Sequence, residues 1–227
     1  MAKENFIHVC FIIDCSGSMY QSTSDVIGGF NSTIEEQKKM DEGKCSVSLF
    51  TFNDTVKEVY LGKDIKEVDG IDYTTNGCTA MNDGIGTAID KVGKWLSDMK
   101  EEDRPSKNLI VIMTDGAENA SKEYSFERIK EMIKHQEEKY NWTFMYMGTD
   151  ITSMEDVNKL GIRMSSFSSR KDYTANYSVV NEATKLYRSL NVDAKTAGAT
   201  MDSFLFSSTD AITAKYEADN NIKIKNN

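Results

Sequence analysis

The feature that most constrains the fold of this chain is the alternation of short apolar runs with segments of helical periodicity. Residues 6–13 and 108–113 are continuous runs of aliphatic, β-branched and aromatic side chains. Such runs are typical of strands that are buried on both faces of a sheet. Strands separated by helices predict βαβ units and therefore a mostly parallel sheet, with helices on both faces.

The other predicted elements extend this alternation along the chain. Apolar residues at helical spacing predict helices at residues 22–40, 81–99, from 126 onward, near 153–160 and near 173–190. Strand-like runs lie at residues 45–52, 56–60, 142–147 and near 162–167. Asn53-Asp54-Thr55 separates the first two of these runs and predicts a hairpin, which adds one antiparallel edge strand. We therefore predict a Rossmann-like, three-layer α/β/α domain over residues 5–190.

Residues 191–227 form a C-terminal extension that we predict to be partly flexible. The periodic pattern is lost from about Asn191, and the chain ends in NNIKIKNN. The stretch 201–206, MDSFLF, is too apolar for a tail that faces only solvent, so we expect it to dock on the domain or on a partner. We expect the residues after about Asp219 to be mobile.

Charge and hydropathy restrict the partners and the compartment. The net charge is −9, from 27 Lys+Arg against 36 Asp+Glu, which argues against nucleic-acid binding, because that function needs a basic face. No segment approaches the roughly 20 apolar residues that span a bilayer, and the start, MAKENFIHVC, lacks a secretory pattern. We therefore expect a cytoplasmic protein that binds neither nucleic acid nor membrane.

The cysteines and histidines limit the chemistry further. The four cysteines contain no C-x-x-C pair, and with two histidines a three-histidine zinc site is impossible. We expect reduced thiols, as in the cytoplasm. Cys15 and Cys78 lie beside two of the polar turns described next, so a redox switch is an alternative to a pair of small buried thiols.

Three polar turns follow or precede the predicted elements at positions that a sheet brings together. Asp14, Ser16 and Ser18 follow the first strand, Thr79 precedes the second helix, and Asp115 follows the strand at 108–113. In a doubly wound sheet, the two strands are neighbours and their carboxyl ends face one crevice. Carboxylate and hydroxyl oxygens suit Mg²⁺, with Mn²⁺ or Ca²⁺ possible, and do not suit zinc or copper.

This pattern resembles the von Willebrand factor A-type domain, whose metal-ion-dependent adhesion site combines D-x-S-x-S with a distant Thr and a distant Asp. The resemblance extends over about residues 5–170 and is closest to small prokaryotic members, in which DxSGSM precedes a helix like DVIGGFNSTIEEQKK. The stretch FMYMGTDITSMEDVNKLGI is also similar to theirs.

The resemblance implies a role for each residue of the pattern. Ser16 and Ser18 bind the ion directly, Asp14 and Asp115 act through water or hydrogen bonds, and Thr79 acts directly or through water. An ion held mainly by neutral oxygens stays electrophilic and accepts an Asp or Glu carboxylate from a protein partner. Met19, Tyr20 and Asn119 are expected to set specificity at the rim, while Asp83 is expected to be a helix-start acid.

Several alternatives remain open beside this metal-dependent binding module. The turns could be ordinary hydroxyl-capped turns, or the metal could serve stability alone. The domain could instead be an adaptor subunit of an ATPase or stress-response assembly. A Mg²⁺-dependent phosphohydrolase with Asp14 as nucleophile is the enzymatic alternative. We predict a protein that is not an enzyme, because the chain has no G-x-x-x-x-G-K phosphate loop and no evident Ser-His-Asp set.

Overall fold

A computed structural model describes residues 3–40, 43–148, 152–162, 164–167, 173–190 and 195–200 of the chain. The strands are β1 (Lys3–Asp14), β2 (Lys44–Phe52), β3 (Val56–Asp64), β4 (Pro105–Thr114), β5 (Thr143–Gly148) and β6 (Met164–Phe167). The helices are α1 (Thr23–Lys38), α2 (Met81–Asp98), α3 (Phe126–Tyr140), α4 (Thr152–Leu160) and α5 (Tyr173–Ser189).

The strands form one six-stranded sheet in the order β3-β2-β1-β4-β5-β6. Every neighbouring pair is parallel except β2 and β3, which form the predicted hairpin and place β3 antiparallel at the edge. The register pairs Ile13 of β1 with Met113 of β4, so these two strands end side by side. The predicted fold class is confirmed, including the adjacency on which the proposed site depends.

Helices cover both faces of the sheet because the strand side chains alternate between two apolar cores. Phe11 and Ile13 of β1 face α1 and α5, where they join Val26 and Phe30 in one buried cluster. Ile12, between them, belongs to the opposite cluster, which includes side chains of α2 and α3. The continuous apolar runs of β1 and β4 therefore supply both cores at once.

Helices α1 and α5 pack closely enough that one contact requires glycine. A Cβ atom added at Gly29 would lie 2.0 Å from Cδ2 of the buried Tyr177 ring. The C-terminal ends of the same helices are joined by Arg188, whose guanidinium donates a 2.6 Å hydrogen bond to the Gln37 carbonyl. These contacts fix the helix pair that covers one face of the sheet.

Several observed boundaries differ from the predicted ones, and β1 for instance begins at Lys3 rather than Phe6. A 3₁₀ helix, Gly17–Ser22, precedes α1, and its sequence has no apolar period that would predict it. Strand β3 continues to Asp64 rather than ending near residue 60, and β4 begins at Pro105 rather than Asn108. Both additions are more polar than the strand cores, so a search for apolar runs underestimates them.

Most of the predicted C-terminal extension lies outside the described residues. This applies to the expected docking of residues 201–206 and to the expected mobility after Asp219. Residues 195–200 are helical, and Ala197 is buried in the α1/α5 core. In the part of the chain that the structure describes, no helix is both long and apolar enough to cross a membrane.

Candidate functional site

The candidate site lies where β1 and β4 end, and the buried carboxylate of Asp14 joins the two strands there. Asp14 Oδ1 accepts a 2.7 Å hydrogen bond from the Ser16 backbone N–H. Its Oδ2 accepts a 2.6 Å hydrogen bond from the Thr114 hydroxyl. Both carboxylate oxygens are therefore engaged, and the residue is 0% exposed.

The two serines of the first turn, Ser16 and Ser18, lie between the buried Asp14 carboxylate and the protein surface. Ser16 Oγ lies 3.1 Å from Ser18 Oγ, and the Ser18 hydroxyl donates a 2.6 Å hydrogen bond to Asp115 Oδ1. Ser16 is buried whereas Ser18 is exposed. Hydroxyl and carboxylate oxygens thus form a continuous row from the end of β1 to the turn after β4.

Thr79 reaches the same place from the loop before α2. A Cβ atom added at Gly116 would lie 3.1 Å from Thr79 Oγ1 and 3.5 Å from Ser18 Oγ. The absence of a side chain at Gly116 therefore leaves space that the two hydroxyls share. All five predicted residues come together at one edge of the sheet.

The protonation state of the Asp14 carboxyl depends mainly on its burial. Burial raises the pKa of the Asp14 carboxyl to about 6, although hydrogen bonds from Thr114 and Ser16 oppose this shift. The neighbouring Asp115 carboxylate raises the pKa of Asp14 further. A bound cation would favour the ionised form of both carboxylates.

The oxygen donors fit a hard divalent cation. Among the described residues, no three His, Cys, Asp or Glu side chains come together as a metal-binding group. Any cation at this site would therefore depend on the hydroxyls of Ser16, Ser18 and Thr79 as well as on the carboxylates. Neutral oxygen ligands of this kind are compatible with Mg²⁺ and Mn²⁺.

The loop before α2 is attached to the first turn by its backbone. The Gly17 N–H donates a 3.0 Å hydrogen bond to the Gly77 carbonyl, and the Asn76 N–H donates one of 3.0 Å to the Cys15 carbonyl. The Tyr73 hydroxyl donates a 2.5 Å hydrogen bond to the carbonyl of Asp14. These contacts hold the Thr79 loop against the end of β1.

Cys15 and Cys78, on these two attached segments, are free thiols in the structure. Cys78 is exposed and Cys15 is partly buried. Burial raises the pKa of the Cys15 thiol to about 11. The Cys15 thiol is therefore protonated at neutral pH, which makes it a poor nucleophile.

The prediction that Met19 lies at the rim of the site was wrong. Met19 is 0% exposed and its sulfur accepts a 3.3 Å hydrogen bond from the Tyr173 hydroxyl, so it belongs to the core and not to a binding rim. The neighbouring Tyr20 is 76% exposed. The 3₁₀ turn, which the sequence pattern did not predict, directs the two side chains oppositely.

Two acids support the site in a manner that the sequence did not predict. Asp83 does lie in the first turn of α2, but its carboxylate accepts hydrogen bonds from three consecutive backbone N–H groups, at residues 122–124. The Glu118 carboxylate accepts hydrogen bonds from the backbone of Asn82, Ala120 and Ser121. The sequence offered only weak signals for these contacts. Asp83 is an acidic residue at a predicted helix start, and Glu118 is an acidic residue that follows Thr114-Asp115-Gly116.

A sequence model of the von Willebrand factor type A domain matches residues 8–189. The chain belongs to this family. The matched range includes all five residues predicted to form a metal-ion-dependent adhesion site (MIDAS).

Solved structures agree with the von Willebrand factor type A (VWA) assignment at the level of the fold. Proximal thread matrix protein 1 from the mussel byssus, with a zinc-occupied MIDAS motif, is 17% identical (TM-score 0.56; 78% of this chain, 45% of that chain). The VWA-type domain of the Porphyromonas gingivalis pilus tip protein Mfa5 is 11% identical (TM-score 0.56; 79% and 95%). Manganese-loaded Plasmodium vivax TRAP is 17% identical (TM-score 0.51; 76% and 72%). The chain spans a little under half of the mussel protein.

Proposed function

We propose that this VWA domain is a protein-binding module that depends on a divalent cation, with Mg²⁺ as the resident ion. Ser16, Ser18 and Thr79 would hold the ion, with Asp14 and Asp115 behind them. The observation that carries the proposal is the row of oxygens from Ser16 through Ser18 to Asp115, with the Thr79 hydroxyl across Gly116. The zinc-occupied MIDAS motif of the mussel protein and the manganese-loaded state of the Plasmodium protein support the binding of a divalent ion by a domain of this fold.

The two carboxylates have different roles in this proposal. Both oxygens of Asp14 are occupied by hydrogen bonds, so Asp14 orients Ser16 and supplies negative charge from behind the ion. Asp115 accepts from the Ser18 hydroxyl and orients that oxygen. When bound, the cation supplies an electrophilic centre for an oxygen ligand from outside the domain.

We propose an Asp or Glu side chain of a protein partner as that outside ligand. Three neutral hydroxyl ligands leave positive charge on the ion, and a carboxylate neutralises it best. Tyr20, three-quarters exposed, follows Ser18 by two residues. Tyrosine is enriched among the residues that dominate binding at interfaces, so we assign a specificity-determining contact with the partner to Tyr20.

The position of the Asp14 carboxylate argues against the phosphohydrolase alternative. A nucleophilic carboxylate needs an oxygen that can approach the phosphorus atom. The Asp14 carboxylate is buried and both its oxygens accept hydrogen bonds, which argues against attack by this residue. A role as an adaptor in an ATPase assembly is compatible with a binding module.

The cytoplasmic location is a separate prediction, which cell fractionation tests.

Thermal unfolding with and without Mg²⁺ tests ion binding. At an ion concentration one hundred times Kd, mass action stabilises the domain by about 2.7 kcal/mol. Ser18→Ala removes an exposed ligand and is expected to abolish the shift without unfolding the domain. Ser24→Ala, an exposed serine on α1, is the matched control and should keep the full shift. An equal shift in Ser18→Ala and wild type would place the ion elsewhere.

Partner capture tests the binding function once a partner is in hand. Wild-type protein should retain the partner in Mg²⁺ and release it in EDTA, and Thr79→Ala should retain less. Tyr20→Ala should weaken capture while leaving the Mg²⁺-induced thermal shift unchanged. Capture that is insensitive to both EDTA and Thr79→Ala would show that the partner uses another face.

A further inference from the structure

We infer that Asn119 is a positioning residue that fixes Thr79 at the site, an inference that rests on the proposed metal-binding function. The Thr79 backbone N–H donates a 2.9 Å hydrogen bond to Asn119 Oδ1. In return, the Asn119 backbone N–H donates a 3.0 Å hydrogen bond to the Thr79 carbonyl. Two residues 40 positions apart thus bind each other through both backbone polar groups of Thr79.

The burial of the two residues agrees with a positioning role. Thr79 is 3% exposed, whereas Asn119 is exposed to solvent. An exposed asparagine contributes little to the apolar core, so its side chain is free to serve a local contact. Its amide oxygen accepts a hydrogen bond from the Thr79 N–H. Thr79 lies two residues before α2, which begins at Met81, so no preceding turn of that helix supplies an acceptor for this N–H.

The segment that carries Asn119 is itself attached to the start of α2. Ala80 occupies the N-cap position of α2 and has no polar side chain to cap the helix. Glu118 Oε2 instead accepts a 2.8 Å hydrogen bond from the Asn82 N–H, and Ser121 Oγ accepts one of 3.1 Å from the Asp83 N–H. The helix start and residues 118–121 therefore form one connected unit that brackets Thr79.

This unit determines where the Thr79 hydroxyl lies relative to the other oxygens. Asp115 and Asn119 belong to one short segment, so the contact of Asn119 with Thr79 sets the distance between Thr79 and Asp115. Residues 76–78 of the same loop are exposed, and the backbone hydrogen bonds of Asn76 and Gly77 attach the loop to the first turn rather than to the segment that carries Asp115. Residues that orient metal ligands from behind typically change metal affinity 10- to 100-fold when they are removed.

Two variants of Asn119 and one control separate positioning from folding. Asn119→Ala removes the acceptor for the Thr79 N–H, and Asn119→Asp keeps an oxygen acceptor at the same distance along the side chain. Asn158→Ala, at an exposed position of α4, is the control for loss of a surface asparagine. Each protein is measured by amide hydrogen exchange without metal and by calorimetric titration with Mn²⁺.

If Asn119 positions Thr79, two linked results are expected. Thr79 amide exchange in the metal-free protein should accelerate about tenfold or more in Asn119→Ala and return towards the wild-type rate in Asn119→Asp. Mn²⁺ affinity should fall roughly tenfold in Asn119→Ala and recover in Asn119→Asp. The control should match wild type in both measurements.

Unchanged Thr79 exchange in Asn119→Ala would overturn the inference, and so would an Asn119→Asp variant that behaves like Asn119→Ala in both measurements. Failure of the proposed function has a different signature. In that case wild-type protein binds no Mn²⁺, or Ser18→Ala binds it equally well, while the exchange measurement still decides whether Asn119 holds Thr79.

Discussion

The Thr114 hydroxyl donates a 2.6 Å hydrogen bond to Asp14 Oδ2 and thereby joins the last residues of two neighbouring parallel strands. Both residues are 0% exposed. A hydrogen bond to a buried carboxylate stabilises the ionised form, and this contact lowers the pKa of Asp14 against the larger effect of burial. The bond therefore connects the geometry of the sheet with the charge of the candidate site.

Replacing Thr114 with valine should affect both stability and metal binding. Thr114→Val removes the donor, leaves Asp14 Oδ2 with one hydrogen bond fewer, and should reduce the free energy of unfolding by about 1–3 kcal/mol. The pKa of Asp14 should rise further, so Mn²⁺ affinity at neutral pH should fall. Urea unfolding and calorimetric titration measure the two effects.

Thr143→Val is the matched control for Thr114→Val. Thr143 is also a buried strand threonine, at the opposite end of the sheet, and its hydroxyl lies 3.1 Å from the Tyr187 hydroxyl. This variant should lose stability but keep its Mn²⁺ affinity. Equal Mn²⁺ affinities for wild type and both variants would show that the Thr114 contact is structural only.

Two adjacent glycines of α1 should respond oppositely to alanine. A Cβ atom at Gly29 would overlap the Tyr177 ring, whereas a Cβ atom at Gly28 would meet nothing within 4 Å. We expect Gly29→Ala to destabilise the protein by about 1–3 kcal/mol through overpacking. Gly28→Ala should stabilise it by up to about 1 kcal/mol, because alanine favours helix. Equal urea midpoints for the two variants would contradict the described packing of α1 on α5.

His8 should make stability depend on pH in the acid range. It is 0% exposed, its Nδ1 lies 2.9 Å from Ser46 Oγ, and burial lowers the pKa of the imidazole to about 3. The unfolded chain takes up a proton near pH 6.5 while the folded chain does not, so stability falls as pH falls from 6.5 towards 3. Between pH 7 and pH 4.5 this amounts to about 2–3 kcal/mol.

Urea unfolding across this pH range checks the contribution of His8. His8→Gln removes the titrating group, so the loss of stability between pH 7 and pH 4.5 should be smaller than in wild type. His135→Gln, at an exposed position of α3, should retain the wild-type pH dependence. If His8→Gln loses as much stability on acidification as wild type, the imidazole is protonated in the folded protein.

The sheet and its helices were predictable because the responsible signals are local. The apolar run 6–13 and the helical spacing within 81–99 specify element type without knowledge of distant partners, and the order of elements then brings Asp14 and Asp115 to one edge. The same holds for Asp14, Ser16, Ser18 and Asp115, since strand ends determine where these residues meet. Thr79 lies on the loop before α2, and it was the resemblance to a known family that assigned it to the site.

The supporting contacts were not predictable because they depend on loop conformation. Nothing in the sequence near Asn119 indicates that its side chain binds the backbone of Thr79, 40 residues away. Lys107 is a comparable case, since a lysine in a strand suggests exposure. Its ammonium group is instead buried and donates to the carbonyls of Tyr187 and Leu190 at 2.7 and 2.5 Å.

The most direct test of the metal-dependent site is a crystal structure of the wild-type protein grown with Mn²⁺, with anomalous scattering recorded for the metal. We expect one anomalous peak bounded by the hydroxyl oxygens of Ser16, Ser18 and Thr79, and no peak there in crystals of Ser18→Ala prepared in the same way. A peak elsewhere on the domain, or no peak in wild-type crystals at saturating Mn²⁺, would contradict this expectation.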